Sequence, residues 1–125
     1  MTGKIIVENG AYPEPHEIYT ATVLAKERGD IVFVAPVFDL KRKNPDIKMQ
    51  GLYWEMKAPK TSKISGLEQC LKRATRQSGN IIIDSYRIKK LSNNKVECFL
   101  ETQKNRRVIK KLIFINKRRK IIDIK

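Results

Sequence analysis

Residues 44–60 read Asn-Pro-Asp-Ile-Lys-Met-Gln-Gly-Leu-Tyr-Trp-Glu-Met-Lys-Ala-Pro-Lys. Asp46–Met49 and Leu52–Lys57 predict two strands, joined by a tight turn at Gln50-Gly51, a pair of residues suited to reversing the chain. Side chains two apart on a strand share a face, so Glu55 and Lys57 project together. Asp46 begins the partner strand, and the turn brings its carboxylate beside Glu55. Two neighbouring carboxylates supply the oxygen ligands that a hard divalent cation such as Mg²⁺ prefers. A lysine beside such an ion can orient water or stabilise negative charge growing on a phosphate. Taken alone, Glu-x-Lys in a lysine-rich chain is more often a surface ion pair. The preceding Pro45, the hairpin and the flanking helices in order favour the chemical reading. Tyr53, Trp54 and Met56 are expected to point away from the triplet or to pack locally.

Outward from this hairpin the pattern predicts an α/β sandwich. His16 to Arg28 reads as a helix, with Ile18, Ala21, Val23, Leu24 and Ala25 apolar, Pro15 in its first turn and Gly29 as its stop. Asp30 to Pro36 holds the apolar run of a buried strand, and Phe38 to Asn44 reads as a basic loop. A second helix, capped near Ser65, runs to Gln77 before Gly79. Its core stripe is Ile64, Leu67, Leu71 and Ala74, with Gln69, Arg73 and Arg76 on another face. Asn80 to Asp84 is apolar on both faces, as a central covered strand should be. Ser92 to Gln103 is a weaker helix, and Val108 to Ile115 with Lys120 to Ile124 form a last hairpin around Asn116 to Arg119. The order is α-β-β-β-α-β, then a helix and a terminal hairpin, in one domain spanning residues 1–125.

Composition bounds the partners. The 125 residues carry 27 Lys and Arg against 13 Asp and Glu, a formal charge of +14. Residues 1–40 hold three cations and six acids, so the excess lies in the remainder, where ten cations fall in the last twenty-five residues. Such a surface attracts polyanions, nucleic acid foremost, because each neutralised phosphate releases counterions. At 41% hydrophobic residues the chain can bury a core. No apolar run nears the ~20 residues that cross a bilayer, and Met1 to Gly10 lacks the succession of a signal peptide, as an excised domain also would. Cys70 and Cys98 have neither metal-ligand nor redox spacing. With His16 the single histidine, a histidine metal cluster or a Ser-His-Asp triad is not expected.

The element order, Pro45-Asp46 and Glu55-Met56-Lys57 together resemble the PD-(D/E)XK nuclease superfamily. The closer resemblance is to the tRNA-nuclease toxin domains at the C-terminus of contact-dependent growth inhibition (CdiA) proteins. It is carried by Tyr12-Pro13 through His16-Glu17, Asp30 to Phe33, Pro45-Asp46, Gly51 to Lys57, Gln77 and Asn80 to Asp84. It spans roughly residues 10–90 and fades in the basic C-terminal hairpin. The resemblance implies a metal-dependent endonuclease, with tRNA as substrate, delivered from a donor cell surface to the cytoplasm of a target cell and neutralised by an immunity protein, expected to be acidic. Asp46, Glu55 and Lys57 are then the catalytic residues, with Mg²⁺ or another divalent cation such as Mn²⁺ or Zn²⁺ held by Asp46 and Glu55. The further acid such nucleases carry on the first helix matches Glu17, which a plain first-turn glutamate favoured by the helix dipole explains equally. DNA cleavage by the same chemistry and a non-catalytic basic RNA-binding module are the alternatives.

Lys60, Thr61 and Lys63 directly after the active strand, and Gln69, Arg73 and Arg76 on the second helix, are the expected phosphate contacts. Asn116 to Lys120 is a candidate finger for an RNA stem or an acidic partner. Tyr12 and Tyr86 are free to stack on a base, whereas Tyr53 and Trp54 are expected to support the hairpin. Asp84 either borders the site or caps the next turn.

Overall fold

The computed structural model describes residues 2–37 and 44–125. The predicted basic loop therefore falls, save for Asn44, outside the described residues. Among the described residues seven strands and three helices follow in the order β1 (Ile5–Val7), α1 (Pro15–Arg28), β2 (Ile31–Phe33), β3 (Ile47–Met49), β4 (Leu52–Lys57), α2 (Ile64–Thr75), β5 (Asn80–Asp84), α3 (Asn93–Gln103), β6 (Lys111–Ile115) and β7 (Ile121–Asp123). The strands lie in one sheet in sequence order. Pairs β1–β2, β4–β5 and β5–β6 are parallel, each bridged by a helix, and the other pairs are antiparallel. The predicted α-β-β-β-α-β order, with a further helix and a closing hairpin, is present.

Helices cover both faces, so the inner strands are apolar on both sides. On one face α1 buries Ala21, Leu24 and Ala25 against Phe33, Ile47, Trp54, Met56 and Ile82. On the other, α2 and α3 bury Leu67, Leu71, Val96 and Leu100 against Ile81, Ile83, Leu112 and Phe114. Arg28, near the end of α1, donates two hydrogen bonds to Asp123 of β7, at 2.9 and 2.8 Å, tying the helix to the far sheet edge.

Several expectations need correction. β1 is an additional strand: Lys4 donates its N–H to Asp30 Oδ1 at 2.8 Å and accepts from the Ile31 N–H, which seats Ile5–Val7 on β2. Helix α2 has Lys63 as its N-cap, within the stretch expected to cap it, but ends at Thr75 rather than Gln77, where Arg76 and Gln77 turn back onto the Arg73 and Ala74 carbonyls. β6 begins at Lys111 because its partner β5 begins at Asn80, leaving Val108 exposed. Tyr53 braces the hairpin without entering the core: it is half exposed, with the ammonium of its cross-strand partner Lys48 5.7 Å from its ring.

Candidate metal centre and substrate cleft

Five of the strands point the same way, and the residues following their carboxyl ends gather at one edge of the sheet. In open α/β sheets that edge is where ligands bind. The hairpin delivers the acids to it. Met49 pairs with Leu52 across the two-residue loop Gln50-Gly51, whose φ values of 53° and 76° give the doubly left-handed turn that matches strand twist. That register sets Trp54 opposite Ile47, and the Asp46 N–H donates to the Trp54 carbonyl at 3.0 Å. Asp46 Oδ2 then accepts the Met56 N–H at 2.9 Å, fixing its carboxylate beside Glu55.

Glu55 and Lys57 share the face of β4 opposite Trp54 and Met56, with Lys57 Nζ 3.2 Å from Glu55 Oε2. The Glu55 side chain is only 5% exposed, while Lys57 reaches solvent. Burial first, then the charge and hydrogen bonding of Asp46, push the Glu55 carboxyl up to about 8, with Lys57 opposing. Glu55 Oε1 is buried and has no hydrogen-bond partner among the described residues. Lys57 faces one oxygen of the Glu55 carboxylate; the other, with the adjacent Asp46 carboxylate, makes an oxygen donor set that fits Mg²⁺ or Mn²⁺.

The first turn of α1 closes the site from above. Glu17 and Asp46 line the same two cavities. One Glu17 oxygen accepts the Glu14 N–H at 2.9 Å, so Glu17 caps its helix and also faces the cleft. His16 Nδ1 lies 3.3 Å from Glu14 Oε2, and ligand atoms of Glu14, His16 and Glu17 all fall within 4.8 Å of one another.

The larger cavity, about 500 Å³, is lined by Lys57, Lys60, Thr61 and Arg73, and by Arg87 and Cys70. Lys63, Gln69 and Arg76 do not line it: Lys63 and Arg76 are the two caps of α2, and Gln69 is exposed elsewhere on that helix. Arg87 and Cys70 were not legible as site residues. Arg87 follows β5 and donates Nε–H to the Ala58 carbonyl at 2.7 Å, holding the strand end after Lys57. Its signal was position, three residues past the carboxyl end of a parallel strand. Cys70 faces the cleft from α2, its thiol pushed up by burial against the pull of Lys57 and Arg73. Gln77 Oε1 accepts the Asn44 N–H at 3.1 Å, anchoring the approach to Pro45-Asp46.

Asp84 borders a different cluster. Its buried carboxylate accepts from Thr20 Oγ1 at 2.7 Å and from the Tyr86 N–H at 3.0 Å, and it pairs with Arg119. Arg119 also lies under Tyr19 and Tyr86, 4.5 and 5.3 Å from their ring centres, so Tyr86 is engaged, whereas Tyr12 is 89% exposed. The Asn116 to Lys120 turn thus carries one inward arginine, with Lys117 and Arg118 exposed.

A family model described as "Contact-dependent growth inhibition CdiA C-terminal domain" matches residues 43–121. The match starts just before Pro45-Asp46 and continues past residue 90, where the resemblance read from the motifs fades, through β6 to the first residue of β7. The structure is similar to the "CdiA-CT/CdiI toxin and immunity complex from Burkholderia pseudomallei", at TM-score 0.70 and 20% identity over 98% of this chain and 99% of that one. No curated protein matches the sequence. Among the described residues no helix is long and apolar enough to cross a membrane.

Proposed function

The chain belongs to the contact-dependent growth inhibition CdiA C-terminal domain family, and from that premise we propose that it is a toxin acting as a divalent-metal-dependent endonuclease of PD-(D/E)XK type on RNA, with tRNA its substrate. The observation that carries this reading is the buried Glu55 Oε1, without a partner among the described residues, beside Asp46 and Lys57, both of which line the cationic cleft. Asp46 and Glu55, with Glu17, are the residues to hold the ion. When bound, such an ion polarises the scissile phosphate and lowers the pKa of a coordinated water.

The chain's own groups do the rest. Lys60, Arg73 and Arg87 bind the phosphates on either side of the bond and fix the register of the strand. Lys57, tethered to Glu55, orients the attacking water and offsets the negative charge that grows on the phosphate oxygens. Water oxygen bonds to phosphorus, one P–O ester bond breaks, and the departing oxygen takes up a proton.

A cognate immunity protein is the proposed partner. The similarity to a toxin and immunity complex supports it, and the charge of +14 favours an acidic binding surface on that protein. Delivery by cell contact into the cytoplasm of a target cell is the matching route. Incubating the purified chain with total tRNA and with plasmid DNA, in Mg²⁺ and in excess EDTA, tests the reading. Cleavage of tRNA in Mg²⁺ alone is expected. Plasmid cleavage without tRNA cleavage replaces the substrate, and intact tRNA and plasmid in Mg²⁺ overturn the enzyme.

A further inference from the structure

We infer that the smaller cavity beside Asp46 is a nucleobase subsite, which takes one unpaired base of the RNA strand whose phosphates occupy the cationic cleft. The two cavities share Glu17 and Asp46 as a common wall and are otherwise opposite in character. Beyond that wall the larger one carries four cations, Lys57, Lys60, Arg73 and Arg87, against one further acid, Glu14, which lies beside His16. Among the described residues the smaller one, about 270 Å³, is lined by no charged side chain apart from the two shared acids; Tyr12, Pro13, Val34, Pro36 and Asn44 are among its lining.

This division matches the chemistry of a nucleotide. Its phosphates are anionic and are drawn to the lysines and arginines of the larger cavity, whereas its base is flat and uncharged and needs no cation. A strand laid across Asp46 and Glu17 therefore puts phosphates on the lysine and arginine side and an adjacent base on the tyrosine and proline side. Tyr12 is suited to stack on it. The ring is 89% exposed and sits in a segment stiffened by Pro13 and Pro15, so little freedom is lost when a base lies against it. Asn44 forms a fixed polar edge, with Oδ1 accepting the Val37 N–H at 2.9 Å and its own N–H donated to Gln77. A base held in a duplex must first be unpaired and unstacked, at a cost in free energy, so the subsite favours nucleotides that are already unpaired.

The direction of the strand rests on the nuclease reading, but binding tests the subsite separately. Fluorescence anisotropy in EDTA is measured with a labelled single-stranded oligoribonucleotide and with a fully paired RNA duplex of the same length. Tyr12→Ala is expected to weaken single-strand binding roughly tenfold, with duplex binding unchanged and Tyr12→Phe close to the parent. Equal affinity of Tyr12→Ala for the single strand, or equal losses on both RNAs, overturns the subsite. If the parent chain binds with this Tyr12 dependence yet cuts no RNA in Mg²⁺, the subsite stands and the nuclease reading falls. If it cuts RNA with no Tyr12 dependence of binding, the reverse holds.

Discussion

Arg119 donates two parallel hydrogen bonds to Asp84, at 2.7 and 2.8 Å, from a turn residue with φ of 65° to a carboxylate with no exposed surface. Thr20 adds a third bond from α1, whose preceding turn carries His16 and Glu17 into the cleft. The pair therefore clamps the C-terminal hairpin and the first helix onto the end of β5. Removing the cation leaves a buried charge without compensation, so Arg119→Ala is expected to cost about 3 kcal/mol in urea denaturation. Arg118→Ala, one residue away and exposed, should leave the midpoint unmoved.

Substitutions at the three clustered residues separate chemistry from folding. Glu55→Gln, Lys57→Ala and Asp46→Asn are each expected to lower RNA cleavage at least about 100-fold, read under single-turnover conditions. Asp46→Asn is the cleaner change, because it keeps an acceptor for the Met56 N–H. Asp46→Ala loses that bond as well and should be less stable by about 1 kcal/mol. Activity near the parent level in Glu55→Gln would remove the proposed mechanism.

Proton linkage gives a test without substrate. The folded Glu55 carboxyl is raised from 4.5 to about 8, so the folded chain keeps a proton that the unfolded chain releases. Its contribution to stability is whole below 4.5 and is lost as pH rises towards 8. Metal-free protein should accordingly show a melting temperature that falls across this window, and Glu55→Gln should flatten the fall. Saturating Mg²⁺ replaces the proton, so calorimetry at pH 7 in buffers of different ionisation enthalpy should register protons released on binding.

The loop after Lys57 is held by close approach. Thr61 Oγ1 accepts the Lys63 N–H at 3.2 Å, and a Cβ added at Gly66 would overlap the Thr61 side chain. Gly66→Ala should therefore displace the Lys60-Thr61 segment, lowering stability by about 1–3 kcal/mol and weakening RNA binding. Thr61→Gly in the same chain should restore the melting temperature, because it removes the atoms in the way.

The hairpin was legible because its information is local: a two-residue turn and a period of two place Asp46, Glu55 and Lys57 without reference to the rest of the chain. Helix α1 and strand β5 were legible for the same reason, from an apolar face and an apolar run. β1 was not, since Ile5–Val7 is three residues long, partly exposed, and defined by bonds to Asp30 and Ile31 across a whole helix. Arg87 reaches the cleft only through the parallel pairing of β4 with β5, and which of Lys60, Lys63, Arg73 and Arg76 line it depends on how α2 is docked. Glu17 illustrates the limit from the other side. One carboxylate serves the helix end and faces the acids, so neither expectation excluded the other.

Because spatial order follows chain order from β1 to β7, no strand is threaded between partners made much earlier or later. A pull on either terminus meets an outermost ribbon of three residues and can peel the sheet one strand at a time, like a zip, with no central strand having to slide out first. Reassembly can add each new strand to the one before it, β3–β4 and β6–β7 across short turns and the parallel pairs across their helix-bearing crossovers.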